Sequence, residues 1–334
     1  MTLKKILITG GCGFIGSNFI DYLFSNQQVS EVFNIDCLTY AGNLQNLVKY
    51  KDDMRYKFIR EDLRNVDKVS EIIRDLRPDA IVNFAAESHV DRSITNPNIF
   101  TETNIIGTQN LLEACNKYKI KKFVQISTDE VYGDLSLTAD PFTENTNINP
   151  SSPYSATKAS ADLLCLAYYR TFGTPVVVTR CSNNYGPYQF PEKLIPLVIE
   201  RAINNRKVPV YGSGNNVRDW IFVNDHCEGI WAALTKGSEG QVYNFGGDSE
   251  ISNIDLVKRI FEILEKPFSL IEFVKDRPGH DFRYAINFKK AAKSLNWLPR
   301  TDFKNGLMKT IDWYLLNSEW LDNVKSGIYK RYEY

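Results

Sequence analysis

Thr9 to Phe19 reads TGGCGFIGSNF, with glycines at 10, 13 and 16. The apolar run KKILI stands directly before it, and helical spacing begins at about Phe14. A strand that passes through a glycine turn into a helix is a phosphate cradle. Gly10 lets the chain turn tightly, Gly13 lets a pyrophosphate approach the backbone amides, and Gly16 lets helix and strand pack closely. Asp36 follows 20 residues beyond Gly16, closing the run EVFNID. A carboxylate there accepts hydrogen bonds from ribose hydroxyls and repels a 2′-phosphate, which favours NAD over NADP. The plainer alternative for Asp36 is a loop acid or helix cap. Asp62, at the end of the third apolar run, is the expected adenine contact, although acids are ordinary at strand ends.

Outward from this loop, apolar runs alternate with helical patterns. EVFNID, YKFIRED, AIVNFAA, KKFVQIS and TPVVVTRC are separated by stretches such as VDKVSEIIRDL and NIIGTQNLLEACNKY. Continuous apolar strands between helices predict a parallel sheet covered on both faces. Beyond Asn183 the pieces shorten: EKLIPLVIERAIN reads as a helix, VPVYG and SLIEFV as short strands. The fold class is therefore α/β, a Rossmann-like doubly wound parallel sheet with a smaller mixed α/β substrate lobe. The NAD-binding domain is expected over residues 1–182, with a returning segment at about 215–250. The second lobe is expected over 183–214 and 251–334.

The 334 residues exceed one ordinary core, in keeping with two lobes. Forty basic residues balance 40 acidic ones. No basic stripe points to nucleic acid or a membrane surface, and no apolar run would span a bilayer. The start, MTLKKILITGG, lacks the shape of a signal peptide. Six cysteines are scattered without a CxxC pair, and there are three histidines without HExxH. Reduced thiols, a cytoplasmic location and no metal are the expectations.

PYSATKASADLL begins at Pro153. Tyr154 and Lys158 are four apart and share a helix face. An ammonium near a phenol lowers the phenol's pKa, as does a positive nicotinamide, so Tyr154 becomes a candidate base for a substrate hydroxyl. Tyr118 and Lys122 match the spacing too, but that pair spans a helix end and the start of KKFVQIS. In STDEVYG, Thr128, Asp129 and Glu130 follow a buried strand whose carboxyl end faces the nicotinamide and substrate crevice. A polar strand exit is the bland reading. The chemical reading is proton transfer next to an oxidised carbon. Once that carbon is a ketone, one carboxylate can remove the acidic hydrogen of the adjacent carbon and the other, protonated, can deliver a proton to a hydroxyl departing from the next. Close like charges push their pKa values apart, which permits the two protonation states.

The GxxGxxG spacing and YSATK resemble the extended short-chain dehydrogenase/reductase family. AAESHVDRS, STDEVYGD, PYSATKAS, CSNNYGPYQFPEKLIPL, RDW and DRPGHD together resemble the dTDP-glucose 4,6-dehydratases of that family, from Lys5 to about Tyr314. The resemblance implies C4 oxidation, loss of water across C5 and C6, and hydride return to C6, in deoxysugar biosynthesis such as that of rhamnose. It implies Asp129 as acid, Glu130 as C5 base and Thr128 as holder of the sugar near C4. It places Phe14, Ile15, Asp36, Cys37, Leu38, Thr39, Asp62, Leu63, Phe84, Ala85, Ala86 and Ser88 around NAD, with Thr103 nearby and Asn184, Tyr154 and Lys158 at its nicotinamide end. It places Ser88, His89, Thr128, Asn183, Lys193, Leu194, Pro209, Tyr211, Arg218, Asn253, Arg277 and His280 on the nucleotide-sugar. Arginines suit a diphosphate; a surface salt bridge is the plain reading of Arg218 and Arg277. His226 is expected to be a helix residue with no chemistry. A homodimer through the helices NIFTETNIIGTQNLLEACNKY and SATKASADLLCLAYYR is also implied. The rivals are the same dehydration of UDP-glucose, a nucleotide-sugar epimerase or decarboxylase, and a non-catalytic NAD-sensing protein.

Overall fold

The computed structural model describes residues 3–26, 29–276 and 279–331. In chain order the strands are β1 (Lys5–Thr9), β2 (Glu31–Asp36), β3 (Tyr56–Arg60), β4 (Ala80–Asn83), β5 (Lys122–Thr128), β6 (Val176–Cys181), β7 (Asn183–Tyr185), β8 (Val208–Tyr211), β9 (Val217–Phe222), β10 (Gln241–Phe245), β11 (Glu250–Ser252) and β12 (Ile271–Val274). A seven-stranded parallel sheet has the order β10-β6-β5-β4-β1-β2-β3. The chain winds outward from β1 in both directions, so the crevice at the carboxyl ends of β1 and β4 is the switch point where such sheets bind ligands.

The sheet's faces can be read from β1 itself. Ile6 and Ile8 pack with Phe19 of α1 (Phe14–Asn26) and Ile230, whereas Leu7 packs with Val69, Ile73 and Leu111 on the opposite side. The second face is covered by α2 (Val66–Leu76), then, past the short α3 (Val90–Thr95) and α4 (Pro97–Phe100), by α5 (Gly107–Tyr118) and α6 (Pro153–Phe172). Burial on both sides is why these strands are apolar throughout instead of alternating.

The remaining helices are α7 (Leu194–Ile203), α8 (Val223–Lys236), α9 (Asn253–Ile263), α10 (Lys289–Leu295), α11 (Phe303–Leu316) and α12 (Ser318–Ser326). A second core gathers Tyr185, Val198, Trp220, Phe261 and Tyr314 around a three-stranded sheet, β11-β9-β7, and the pair β12-β8. The segment expected to return at about 215–250 is divided. β9 stays in the smaller sheet, while α8 packs on α1 and β10 closes the large sheet. Residues 289–297, expected in the smaller lobe, also lie against the large sheet. Ala291, Leu295 and Trp297 belong to the core of Ile6, and the Trp297 indole meets Phe245 edge-on at 4.6 Å. That burial of an indole with its Nε1 donating to the Asp225 carbonyl at 2.9 Å fixes the segment there. Among the described residues no helix is long and apolar enough to cross a membrane, and no group of three His, Cys, Asp or Glu is arranged to hold a metal.

Candidate active site

Gly10 turns with φ +69° and donates to the Ile35 carbonyl at 2.8 Å. A Cβ there would come within 2.7 Å of the Ala85 backbone, so the turn accepts only glycine. At Gly13 an added Cβ would meet only the Gly10 carbonyl, at 3.3 Å, and Gly13 lines a cavity of about 300 Å³. The loop thus leaves an open cradle beside the amino end of α1, the geometry a pyrophosphate requires. Asp36 is buried and holds the loop's shape: Oδ2 accepts from the Cys12 amide at 2.9 Å and Oδ1 from Leu38 at 2.8 Å. Burial raises its carboxyl above the usual range, and those two amides oppose the rise.

The same cavity is lined by Phe14, Ile15, Gly16, Cys37, Thr39, Asp62, Leu63, Phe84, Ala85, Ala86, Ser88 and Thr103. Thr103 lies on a π-helical stretch, Thr101–Ile106, that interrupts the helix leading to α5. Leu38 is the exception. Its φ of +56° turns it toward a neighbouring cavity lined by Arg60, Tyr329 and Lys330. Asp62 lines the cofactor cavity with its carboxylate already paired to Arg64 at 2.6 Å, an ion pair that lowers its pKa.

At the other end of the cavity, α6 begins with a capping box between Ser152 and Ser155 and with Pro153 in its first turn. These three residues fix where the helix starts, and so set Tyr154 and Lys158 one turn apart on the cavity wall. The expected lowering of the Tyr154 phenol by Lys158 is not what this structure has. The Lys158 ammonium donates to the Ile126 carbonyl at 2.6 Å. Burial, then Glu130, Cys181 and Asp129, push the phenol well above its usual value, opposed by a hydrogen bond with Thr128.

Asp129 and Glu130 open a 3₁₀ turn, Asp129–Tyr132, whose first amide donor, Glu130 N, is capped by Thr128 Oγ1 at 3.2 Å. Adjacent residues on such a turn diverge by about 120°. Asp129 is 2% exposed; its Oδ1 accepts from Thr128 at 3.3 Å, and its buried Oδ2 has no hydrogen-bond partner. Burial, then Glu130 and Asp219, push its carboxyl well above the usual carboxylate range, while Arg218 and Thr128 oppose. This favours the protonated acid.

Of the residues expected on the nucleotide-sugar, Ser88, Thr128, Asn183 and Lys193 line the cavity, and Lys193 Nζ donates to the Ser88 carbonyl at 3.0 Å. His89, Leu194, Pro209, Tyr211, Arg218, Asn253 and His280 lie outside its lining. Arg218 is neither a surface salt bridge nor turned into the cavity. It donates to the carbonyls of Val217, Asp281 and Phe282 and lies 4.3 Å over the Tyr284 ring. The His280 ring sits edge-on to Tyr211 at 6.2 Å, with Nδ1 2.6 Å from Asp276 Oδ1. Arg277 lies outside the described residues. Asn184 borders the cavity but turns its side chain away: Oδ1 is 2.9 Å from His226 Nδ1 and Nδ2 donates to the Ser182 carbonyl.

The sequence profile described as GDP-mannose 4,6 dehydratase matches residues 7–310. The chain belongs to that family. dTDP-glucose 4,6-dehydratase of Shigella flexneri is 49% identical over 350 residues, spanning 98% of this chain and 97% of that relative. The crystal structure of dTDP-glucose 4,6-dehydratase from Bacillus anthracis in complex with NAD matches with a TM-score of 0.90 at 48% identity, over 96% of this chain and 99% of the other. The same enzyme from Streptomyces venezuelae, with NAD and a second ligand bound, matches with a TM-score of 0.93 at 43% identity, over 96% and 99%.

In this member of the 4,6-dehydratase family the cavity has further walls that sequence reasoning missed: Tyr40, Ser127, Cys181, Ser182, Gln189, Phe190 and Glu192. Five of them lie in CSNNYGPYQFPEK, so the motif carried the signal but not the orientation of each side chain. Tyr40 meets Phe190 edge-on at 5.6 Å, carries the Arg92 guanidinium 3.6 Å over its ring, and accepts at its carbonyl a hydrogen bond from Tyr329. Trp320 of α12 donates to Asn46 Oδ1 at 2.8 Å, and Asn46 donates to the Cys12 carbonyl of the glycine loop at 3.0 Å.

Proposed function

We propose that this chain is an NAD-dependent dTDP-glucose 4,6-dehydratase, converting dTDP-glucose to dTDP-4-keto-6-deoxyglucose. The observation that carries the reading is Asp129: a buried carboxyl, held toward its protonated form, with one oxygen unpaired at the inner end of the cofactor cavity. An oxidoreductase acting at a single carbinol has no use for such an acid; an elimination needs it. When bound, NAD accepts hydride from C4 and returns it at C6, and its positive ring favours the Tyr154 phenolate that burial opposes. The Gly10–Gly16 loop, Asp36 and the β4 end hold that cofactor. Tyr154 takes the C4 hydroxyl proton. Glu130 removes the C5 proton made acidic by the C4 ketone, and Asp129 gives its proton to the C6 hydroxyl, which leaves as water. Thr128 holds the sugar at C4. Lys193, Asn183 and Ser88 reach the substrate from the cavity wall, and Tyr211 with His280 forms an outer rim for the nucleotide.

The enzyme works as a cytoplasmic homodimer. The apolar residues Ile106, Leu163 and Phe172, exposed on the helix before α5 and on α6, support the dimer: they exceed what the core-facing stripe of each helix uses. Separate incubations with dTDP-glucose and UDP-glucose, followed by the alkaline absorbance of the 4-keto-6-deoxy product, test the activity. Product from dTDP-glucose at much the higher kcat/KM is expected. Equal use of both nucleotides would return the base specificity to the UDP rival, and no product from either would overturn the reading.

A further inference from the structure

Asp162 stands one turn beyond Lys158 on α6, and both are buried, with Asp162 fully inaccessible. Arg180 on β6 donates from Nε to Asp162 Oδ2 at 2.8 Å, with side-chain exposures of 3% and 0%. The guanidinium lies 4.7 Å over the Tyr132 ring, whose hydroxyl donates to Asn244 Oδ1 at 2.9 Å. Ser127, at the end of β5, brings its hydroxyl near the same carboxylate, and Asp162 Oδ1 has no hydrogen bond of ordinary geometry. A buried ion pair of this kind is rarely a gain in stability over apolar packing. Removed from any surface and one helical turn from a cavity-lining ammonium, it has another use.

We propose that Asp162 and Arg180 are positioning residues for the C4 oxidation: Asp162 keeps the Lys158 ammonium charged in the dry wall of the cavity, and Arg180 keeps Asp162 ionised so that it can do so. Neither faces the cavity; both act through Lys158 on Tyr154. The charges around Lys158 support this. Burial lowers its pKa, and Asp162 is the foremost group opposing, followed by Cys181 and Cys165. Asp162 is itself raised by burial and held down by Arg180, then by Lys158 and Ser127. Around Tyr154 stand Glu130, Asp129 and Cys181, all of which disfavour the phenolate, and the Thr128 hydroxyl, which favours it. Lys158 stands one turn from Tyr154 on the same cavity wall, so its ammonium is the cation of α6 through which the pair reaches the phenol.

The inference rests on Tyr154 being the base, so Tyr154→Phe accompanies the test. Asp162→Asn keeps shape and removes charge. In single turnovers, formation of bound reduced cofactor should fall roughly tenfold near neutral pH, and the ascending limb of its pH profile should move up by about one unit, the same effect seen two ways. KM should change little, because no substrate contact is lost. The phenol titration of the unreacted holoenzyme, read as the ultraviolet difference between each protein and its Tyr154→Phe partner, should move up with it. Asp162→Asn alone leaves Arg180 buried and unpaired, so the double variant with Arg180→Gln guards against misfolding. It should reproduce the single variant's pH profile without adding to it, since both changes silence one line of action. A folded double variant with the wild-type ascending limb and phenol titration would overturn the proposal, even if its melting temperature fell. If Tyr154→Phe itself oxidises C4 normally, it is the assignment of the base that fails instead.

Discussion

Asp129 and Glu130 are consecutive, yet the 3₁₀ turn sends their side chains in different directions, and only Asp129 is buried with an oxygen unpaired. Their losses should therefore fall at different points on one path. Asp129→Asn cannot supply the proton to the C6 hydroxyl, so water loss should slow by roughly 10²-fold or more while C4 oxidation survives. The 4-keto-glucose intermediate should accumulate in a single turnover, read by rapid quench. Glu130→Gln should abolish exchange of the C5 hydrogen with deuterated solvent. Normal product release by Asp129→Asn would leave the two acids as a mere polar strand exit. The same residue should mark stability. Its carboxyl ionises near 3.8 in the unfolded chain and holds its proton to higher pH when folded. Above 3.8 the folded state binds the extra proton, so stability falls as pH rises through that window, by at most about 1.4 kcal/mol per pH unit. Asp129→Asn should be more stable than the wild type at about pH 7, with the advantage shrinking toward about pH 4, as measured by denaturant melts.

At the scale of elements, the glycine loop and the start of α6 do the placing. Gly13→Ala puts a methyl into the cradle where only the Gly10 carbonyl is near. The apo protein should melt as before, while NAD retained through gel filtration falls with a roughly tenfold weaker Kd, about 1.4 kcal/mol. Helix α8 contributes differently. His226 is fully buried, one ring nitrogen against Asn184 and the other without a partner, and burial lowers its pKa from 6.5 to about 3. A depressed folded pKa gives stability that is present above 6.5 and lost as pH falls from there toward 3. His226→Asn should flatten the acid side of the melting profile. The alternation of strands and helices, the cradle and the Tyr154–Lys158 face were legible in the sequence because each is local: a period, a turn residue, an i,i+4 spacing. The fate of Arg218 was not. Its guanidinium is committed to carbonyls more than 60 residues away, a contact no spacing in RDW announces. Nor was the direction of the Tyr154 shift, because burial sets it first and Glu130, Cys181 and Asp129 add to it, none of which a helical spacing announces.

At the scale of the whole molecule, the far end of the chain braces the walls of the cofactor cavity from outside. Neither α12 nor the stretch KSGIYKRYEY that follows carried a readable signal, since what matters is what Trp320 and then Tyr329 touch: the Asn46–Cys12 brace of the glycine loop and the carbonyl of Tyr40. Trp320→Phe keeps a ring in the second core and removes the donor. NAD should dissociate several-fold faster, in proportion to a net hydrogen bond of about 1 kcal/mol, with the fold intact by circular dichroism. An unchanged dissociation rate would confine α12 to packing.

That brace joins positions 274 apart, and the Tyr329 bond joins positions 289 apart. During synthesis the loop of β1 and α1 leaves the ribosome with its neighbour β2 close behind, but its last support is still untranslated. The large sheet is also waiting for β10, which pairs with β6 only after residue 241 has emerged. Contacts closing loops of this length form late. A chain that ends before α12 should therefore carry a nearly complete binding lobe that holds its cofactor loosely, and full retention of NAD should come only once the last residues have joined the fold.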